Sequence, residues 1–263
     1  MKCKVCNGEA EKAFDARILA KYRIDYFQCR KCGFLQTEEP YWLRGAYESA
    51  INLTDTGILA RNLEFSRLTS TLLFFLYKKN GRFLDYAGGY GIFTRLMRDI
   101  GFDFYWQDPY TPNLVARGFE YAPEAGEVDL VTSFESFEHF VQPIEEAEKM
   151  IRISKNILFS TELLPRPTPE SSDWWYYGLE HGQHISFYTP ESLAAMAHRL
   201  GLHFCTNGRN LHLFTEKRVS PLFYKLLLKA APRGLFRFVQ RKMHGKTMAD
   251  MNKILAAVSS VHR

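Results

Sequence analysis

The sequence predicts an α/β fold built on a largely parallel sheet. Three stretches predict it. The first is Leu84-Asp85-Tyr86-Ala87-Gly88-Gly89-Tyr90-Gly91, which overlaps the apolar run Arg82-Phe83-Leu84 and leads into the helically periodic Ile92-Phe93-Thr94-Arg95-Leu96-Met97. It reads as strand, glycine loop, helix. The second is the apolar strand Phe102 to Trp106 after Gly101, ending at Asp108. That acid lies about 20 residues beyond the glycines, where ribose hydroxyls need an acceptor. The third is a hairpin signal: Gly201 to Thr206 and Leu211 to Thr215 flank Asn207-Gly208-Arg209-Asn210.

Gly88, Gly89 and Gly91 let a ligand approach main-chain N–H groups with no Cβ in the way. A dinucleotide site calls for G-x-G-x-x-G, yet Gly89-x-Gly91 is followed by Thr94. The Asp-x-Ala-Gly-Gly-x-Gly run resembles instead the first motif of class I S-adenosylmethionine (SAM) methyltransferases, Asp-x-Gly-x-Gly-x-Gly. Ala87 stands at the usual first glycine, a substitution that suits only a negative φ. The terminal hairpin is similar to that family's antiparallel last strand, which a purely parallel dinucleotide fold would not have. The resemblance implies a Rossmann-like class I methyltransferase sheet with an antiparallel last strand. It implies SAM held by Asp85, Tyr86, Ala87, Gly88, Gly89, Gly91, Asp108 and Pro109. Val128 to Glu135 reads as a buried parallel strand ending at the topological switch point. By the same resemblance its end, Phe134 and Glu135, faces the cofactor.

The 263 residues make one to two domains, and 46% apolar residues with 24% charged ones suit a globular enzyme with a sizeable core. A net charge of +5 does not by itself call for nucleic acid. The N-terminal Met1-Lys2-Cys3 is not followed by the apolar core of a secretory signal, and no apolar run is long enough to span a bilayer. The expectation is a cytoplasmic protein with reduced cysteines.

Cys3-x-x-Cys6 and Cys29-x-x-Cys32-Gly33 form two knuckles around a strand-like Tyr22 to Phe27. Four thiolates at this spacing predict a closed tetrahedral Zn2+ site that folds a small module and does no chemistry. Redox chemistry is the weaker alternative, since no βαβ pattern surrounds either pair. Cys205 reads as a small buried apolar residue. The run Phe27-Gln28-Cys29-Arg30-Lys31-Cys32-Gly33-Phe34-Leu35-Gln36-Thr37 resembles the N-terminal zinc-binding module of bacterial sugar methyltransferases. Those enzymes act on nucleotide-linked deoxysugars and place this module before a SAM-binding domain. The resemblance covers roughly residues 1 to 215. The long C-terminal domain of the sugar C-methyltransferases is absent, so O- and C-methylation both stay open.

The four predicted segments are a zinc ribbon (1–36), a helical connector or cap (37–80), the SAM domain (81–217) and a basic helical tail (218–263). In the connector, Tyr41, Trp42 and Tyr47 serve either as a lid, with Tyr47 against substrate, or as docking aromatics. Arg61 to Tyr77 is helical. A third short strand is expected near Val115 to Phe119 and a fifth over Asn156 to Thr161. Glu138 with His139 reads as a helix cap.

The long insert before the helix Glu191 to Leu200 should carry chemistry. It holds Pro165-x-Pro167-x-Pro169, then Trp174-Trp175-Tyr176-Tyr177, then Glu180-His181-Gly182-Gln183-His184. Trp174 and Tyr177 offer flat faces for a sugar, or else pack as core. Methyl transfer from a sulfonium is an in-line displacement in which the protein aligns the acceptor and removes its proton. His181 is the candidate base, with Glu180 or His184 assisting. The Glu180-His181 pair looks like the active-site Glu-His of the sugar C-methyltransferases. The same three side chains could instead ligate a divalent metal.

In the tail, Lys225, Lys229, Arg233, Arg237, Arg241, Lys242, Lys246 and Lys253 face Asp250 as the sole acid. This basic amphipathic stretch either rests peripherally on the inner face of an anionic membrane or packs on the domain. Three functions are weighed. The preferred one is SAM-dependent methylation of a nucleotide-linked or glycan sugar, as in polysaccharide biosynthesis. The others are a zinc-ribbon nucleic-acid methyltransferase and a non-catalytic SAM-fold binding protein.

Overall fold

The computed structural model describes residues 1–47 and 55–261. Six strands form a mixed sheet in the order β5-β4-β6-β7-β10-β9: β4 (Arg82–Tyr86), β5 (Asp103–Gln107), β6 (Leu130–Ser133), β7 (Asn156–Ser160), β9 (His203–Thr206) and β10 (Leu211–Thr215). β4 runs parallel to β5 and β6, while β10 is antiparallel to both β7 and β9. The α/β class and the antiparallel last strand are those the sequence predicts. The expected strand at Val115 to Phe119 does not form. A single parallel bridge, Trp106 to Glu120, takes its place, because the chain turns through Gly118 at φ +87°.

The chain divides into two compact units, Met1–Thr54 with Ser133–Val219, and Asp55–Thr132 with Ser220–Arg263. In the first, β1 (Ala10–Ile18), β2 (Tyr22–Cys29), β3 (Leu35–Thr37) and β8 (Ser186–Phe187) make a four-stranded sheet in that order. Thus the long insert before the helix Pro190–Arg199 contributes a strand, paired with the cysteine-bearing module through Leu35 and Phe187. The short helix α1 (Leu43–Ala46) follows β3. Beneath the sheet lies an aromatic core of Tyr26, Trp42, Tyr176, Tyr177 and Phe187. β7 and β10 are buried at every position, which is why they read as unbroken apolar runs. His212 inside β10 is a satisfied core residue, with ring contacts to the Thr206 hydroxyl and the Thr161 carbonyl. Helices α4 (Pro143–Ile153) and α5 (Pro190–Arg199) complete this unit. α5 starts with a capping box between Thr189 and Ser192.

The second unit joins β4, β5 and part of β6 to α2 (Ile58–Leu76), α3 (Ile92–Ile100) and the tail helices α6 (Pro221–Ala230), α7 (Leu235–Lys242) and α8 (Thr247–Val261). The lone tail acid is an anchor. Asp250 on α8 receives the Arg98 guanidinium of α3 through two bonds of 2.8 and 2.7 Å, both side chains being buried. Arg98 also reaches Asp103 and the Phe104 carbonyl. Among the described residues, no helix is long and apolar enough to cross a membrane.

Candidate functional site

In the second unit, β4 delivers the chain into the glycine loop and α3 takes it out. The loop is latched to the end of β5. Gly88 N–H donates to the Gln107 carbonyl, Gly89 N–H to Asp108 Oδ2 at 2.9 Å, and the Trp106 indole N–H to the Gly89 carbonyl at 2.8 Å. A Cβ on Gly88 would sit 2.8 Å from both Asp85 Oδ2 and Trp106 Cδ1, so only glycine fits there. Gly89 and Gly91 have φ of +53° and +85°. Asp108 also accepts the N–H groups of Tyr110 and Thr111 through Oδ1. Tyr86 is half-buried beside the loop and Pro109 is exposed.

Asp85 lies beneath the loop, 2% exposed. Its carboxylate accepts from the hydroxyls of Thr94 (3.0 Å) and Thr132 (3.1 Å). Burial pushes its pKa up to about 7, opposed by those hydroxyls and aided by the charge of Asp108. Asp85 therefore supports the cradle from within. Thr94, the residue that breaks the dinucleotide pattern, has its own use as a bolt between α3 and β4. Ala87 departs from expectation: its φ is +59°, in the left-handed region, so alanine here carries strain that glycine would not.

In the first unit, the chain leaves β6 through Phe134, half-buried, and Glu135, whose φ is +50°. The Glu135 backbone N–H donates to the Ser160 hydroxyl, and that hydroxyl donates to the Glu135 carboxylate at 2.6 Å. Its carboxylate is thus engaged on β7. Residues 137–139 then form a single 3₁₀ turn. The expected capping role of Glu138 does not hold: α4 starts later, with Gln142 at its N-cap. Glu138 is instead 1% exposed, and neither carboxylate oxygen closes a hydrogen bond among the described residues. The Tyr176 and Thr161 hydroxyls give it polar support only. Burial, and then the charge of Glu135, push its pKa up to about 8.

His184 meets this turn because Ile185 N–H donates to the Glu138 carbonyl, Ser186 Oγ to Phe140 and Tyr188 Oη to Phe137. Glu138, His139 and His184 offer ligand-type atoms within 4.8 Å of one another. The rings of His139 and His184 are 5.0 Å apart, centroid to centroid. His139 Nδ1 contacts the Gln183 carbonyl at 3.1 Å and Tyr47 Oη at 2.9 Å, and His184 Nδ1 contacts the Tyr176 carbonyl at 2.6 Å. A carbonyl only accepts, so both rings carry their proton on Nδ1 and turn the basic Nε2 elsewhere. Desolvation pushes His139 down to about 4, so its ring is neutral near pH 7.

The predicted insert residues fare differently. His181 lies 4.7 Å from the His184 ring, but its Nδ1 accepts the Gln183 N–H, which puts its ring proton on Nε2. That arrangement disfavours it as the base. Glu180 is exposed and outside the cluster. Tyr177 is fully buried, bonded to the Pro169 carbonyl and packed on Tyr26 and Phe187. It cannot stack on a substrate. Trp174 is half-buried and packs on Tyr176, Tyr177 and Phe187 at the edge of that core. Tyr47, 43% exposed with its hydroxyl on His139, remains a substrate candidate. Glu138 and His139 are what sequence reasoning missed. The signal was a Glu-His pair just past a central strand.

The four knuckle cysteines converge. Cys3 Sγ lies 3.7 Å from Cys32 Sγ, Cys6 Sγ lies 3.5 Å from Cys29 Sγ, and all four are within 4.8 Å. Tetrahedral Zn–S bonds of about 2.3 Å set sulfur atoms about 3.8 Å apart, so the set fits zinc. Gly8 packs on two of the sulfurs, and Gly33, at φ +73°, makes the second knuckle turn. The Thr189 hydroxyl donates to the Cys32 carbonyl, tying the knuckle to the end of β8.

The sequence model of a family described as a methyltransferase domain matches residues 59–206. No curated protein matches the chain. Among solved structures, an O-methyltransferase family protein from Burkholderia thailandensis is 17% identical over 68% of each chain, with a TM-score of 0.46. The plantazolicin methyltransferase BpumL, solved with S-adenosylhomocysteine (SAH), is 14% identical over 72% of this chain and 81% of its own, at 0.47. Magnesium protoporphyrin IX methyltransferase from Synechocystis PCC 6803 is 14% identical over 66% and 93%, at 0.43. Since the family match spans more than half of the 263 residues, the chain belongs to the methyltransferase-domain family and is a SAM-dependent methyltransferase.

Proposed function

We propose that this methyltransferase acts on a sugar, nucleotide-linked or in a glycan, and that the Glu138–His139–His184 cluster meets the acceptor. One observation carries the reading. A buried carboxylate with no hydrogen bond lies beside two imidazoles, with the half-exposed Tyr47 hydroxyl on one of them. Such a set of polar groups suits a polyhydroxylated acceptor that must be oriented and relieved of a proton. The knuckle module and its likeness to sugar methyltransferases favour the same class. SAM supplies an activated methyl group. Gly88, Gly89 and Gly91 would lie against it with their backbone, and Asp108 would take its ribose hydroxyls. Four cysteine thiolates would hold a structural Zn2+ that braces β3 and, through it, β8. We assign the exposed Leu222, Phe223 and Leu226, beside Lys225 and Lys229, to contact with an anionic lipid surface on the cytoplasmic side.

The test is mass spectrometry on a panel of sugar nucleotides incubated with SAM. One panel member should gain a methyl group, and His184→Ala should abolish that gain while SAM affinity stays. Transfer undiminished in His184→Ala refutes the assignment of the cluster. Metal analysis should find one zinc per chain, and a zinc-free folded chain contradicts the four-thiolate site.

A further inference from the structure

We infer that Glu138, His139 and His184 form a divalent-metal site of the two-histidine, one-carboxylate kind, taking a first-row transition cation. It deepens the proposed function and rests on it for the metal's role, though not for its binding. The argument starts from Glu138. A carboxylate 1% exposed with neither oxygen hydrogen-bonded is stable only when protonated or when a cation faces it. Around it stand the Tyr176 and Thr161 hydroxyls, the Glu135 carboxylate and the two imidazoles, and the imidazoles bring ligand-type atoms within 4.8 Å. Each ring has its Nδ1 against a backbone carbonyl, Gln183 for His139 and Tyr176 for His184, the kind of support that orients metal-bound histidines.

The segment beside the Gln183 carbonyl is itself tied down. The Gln183 side chain donates to the Ala46 carbonyl at 2.7 Å, and the Trp42 indole N–H to the Gly182 carbonyl at 2.8 Å. The loop carrying His184 is therefore held before any ligand arrives. Metal–ligand bonds of about 2.1 Å put ligand atoms about 3.5 Å apart, so the three side chains close in by about an ångström on loading. Three protein ligands leave coordination positions for other oxygens.

An acceptor hydroxyl bound there would ionise more readily, since a cation stabilises its alkoxide. Its proton passes to solvent. The alkoxide oxygen then forms a bond to the methyl carbon as the carbon–sulfur bond breaks, and the electron pair stays on sulfur as SAH. On this reading the acceptor atom is oxygen.

The experiment adds Co2+ to the intact, zinc-loaded chain and follows visible absorption. The expected result is one equivalent per chain with ligand-field bands and no sulfur-to-cobalt charge transfer. Glu138→Gln and His184→Gln should each weaken binding at least about tenfold, while Glu180→Gln leaves it unchanged. SAM affinity, measured in parallel, identifies variants that keep their fold. No saturable Co2+ binding, a sulfur charge-transfer band at saturation, or unchanged affinity in folded variants of both ligands overturns the inference. Co2+ binding without methylation of any sugar supports this site and refutes only the proposed substrate.

Discussion

Asp85→Asn isolates the cost of a buried charge beneath the cofactor loop. The substitution preserves shape and keeps an oxygen for one of the two threonine hydroxyls, Thr94 on Oδ2 or Thr132 on Oδ1, while the hydroxyl facing the new NH2 must turn to accept. In the folded chain the pKa of Asp85 is about 7, raised chiefly by burial, against an ordinary value of 3.8. A pKa raised by folding means that the native state binds the proton more tightly than the unfolded chain does. Its contribution is fully present below about pH 4 and is lost as pH rises through about 7. At about 1.4 kcal/mol per unit, the gap of about three units amounts to about 4 kcal/mol at most. Asparagine has no such proton to lose. Urea denaturation of both proteins at pH 5 and pH 8 reads the difference. Between pH 5 and pH 8 about two of those units are crossed, so the variant's stability relative to the parent should rise by about 3 kcal/mol, at about 1.4 kcal/mol for each unit. An unchanged difference across that range would show that Asp85 is ionised in the fold and refute the reasoning.

Other perturbations test separate parts. Ala87→Gly relieves a left-handed alanine and should stabilise the fold by up to about 1 kcal/mol in the same assay, less whatever the added chain entropy of glycine removes. A loss of stability would show that the Ala87 methyl group packs usefully. Asp250→Ala leaves the buried Arg98 guanidinium without its principal partner and should cost about 3–5 kcal/mol by denaturation. A cost under about 1 kcal/mol would mean that the tail helix α8 contributes little to the second unit.

What was legible in the sequence was local. The glycine loop, the acid at the end of β5, the two cysteine pairs and the terminal hairpin are each encoded within a short stretch. The structure brings them out where the spacing places them. What was not legible depended on contacts between distant stretches. Glu138 and His139 look like a helix start until β8 brings His184 alongside through the Ile185 N–H bond to the Glu138 carbonyl. Trp174 and Tyr177 have the composition of a substrate platform, yet they fill the gap under β2 and β8 because Tyr26 and Phe187 need partners there. His181 has the right chemistry, but one backbone N–H from Gln183 occupies its basic nitrogen. The φ of Ala87 is set by how the loop latches onto β5, which no propensity for alanine reports.

The central claim is that the loop at Gly88 to Gly91, with Asp108, holds a sulfonium nucleoside. Isothermal titration with SAM tests it most directly. The parent should bind one SAM per chain, and Gly88→Ala, whose Cβ would press on Asp85 and Trp106 at 2.8 Å, should bind at least about tenfold more weakly. No saturable binding by the parent, or equal binding by the variant, would contradict it.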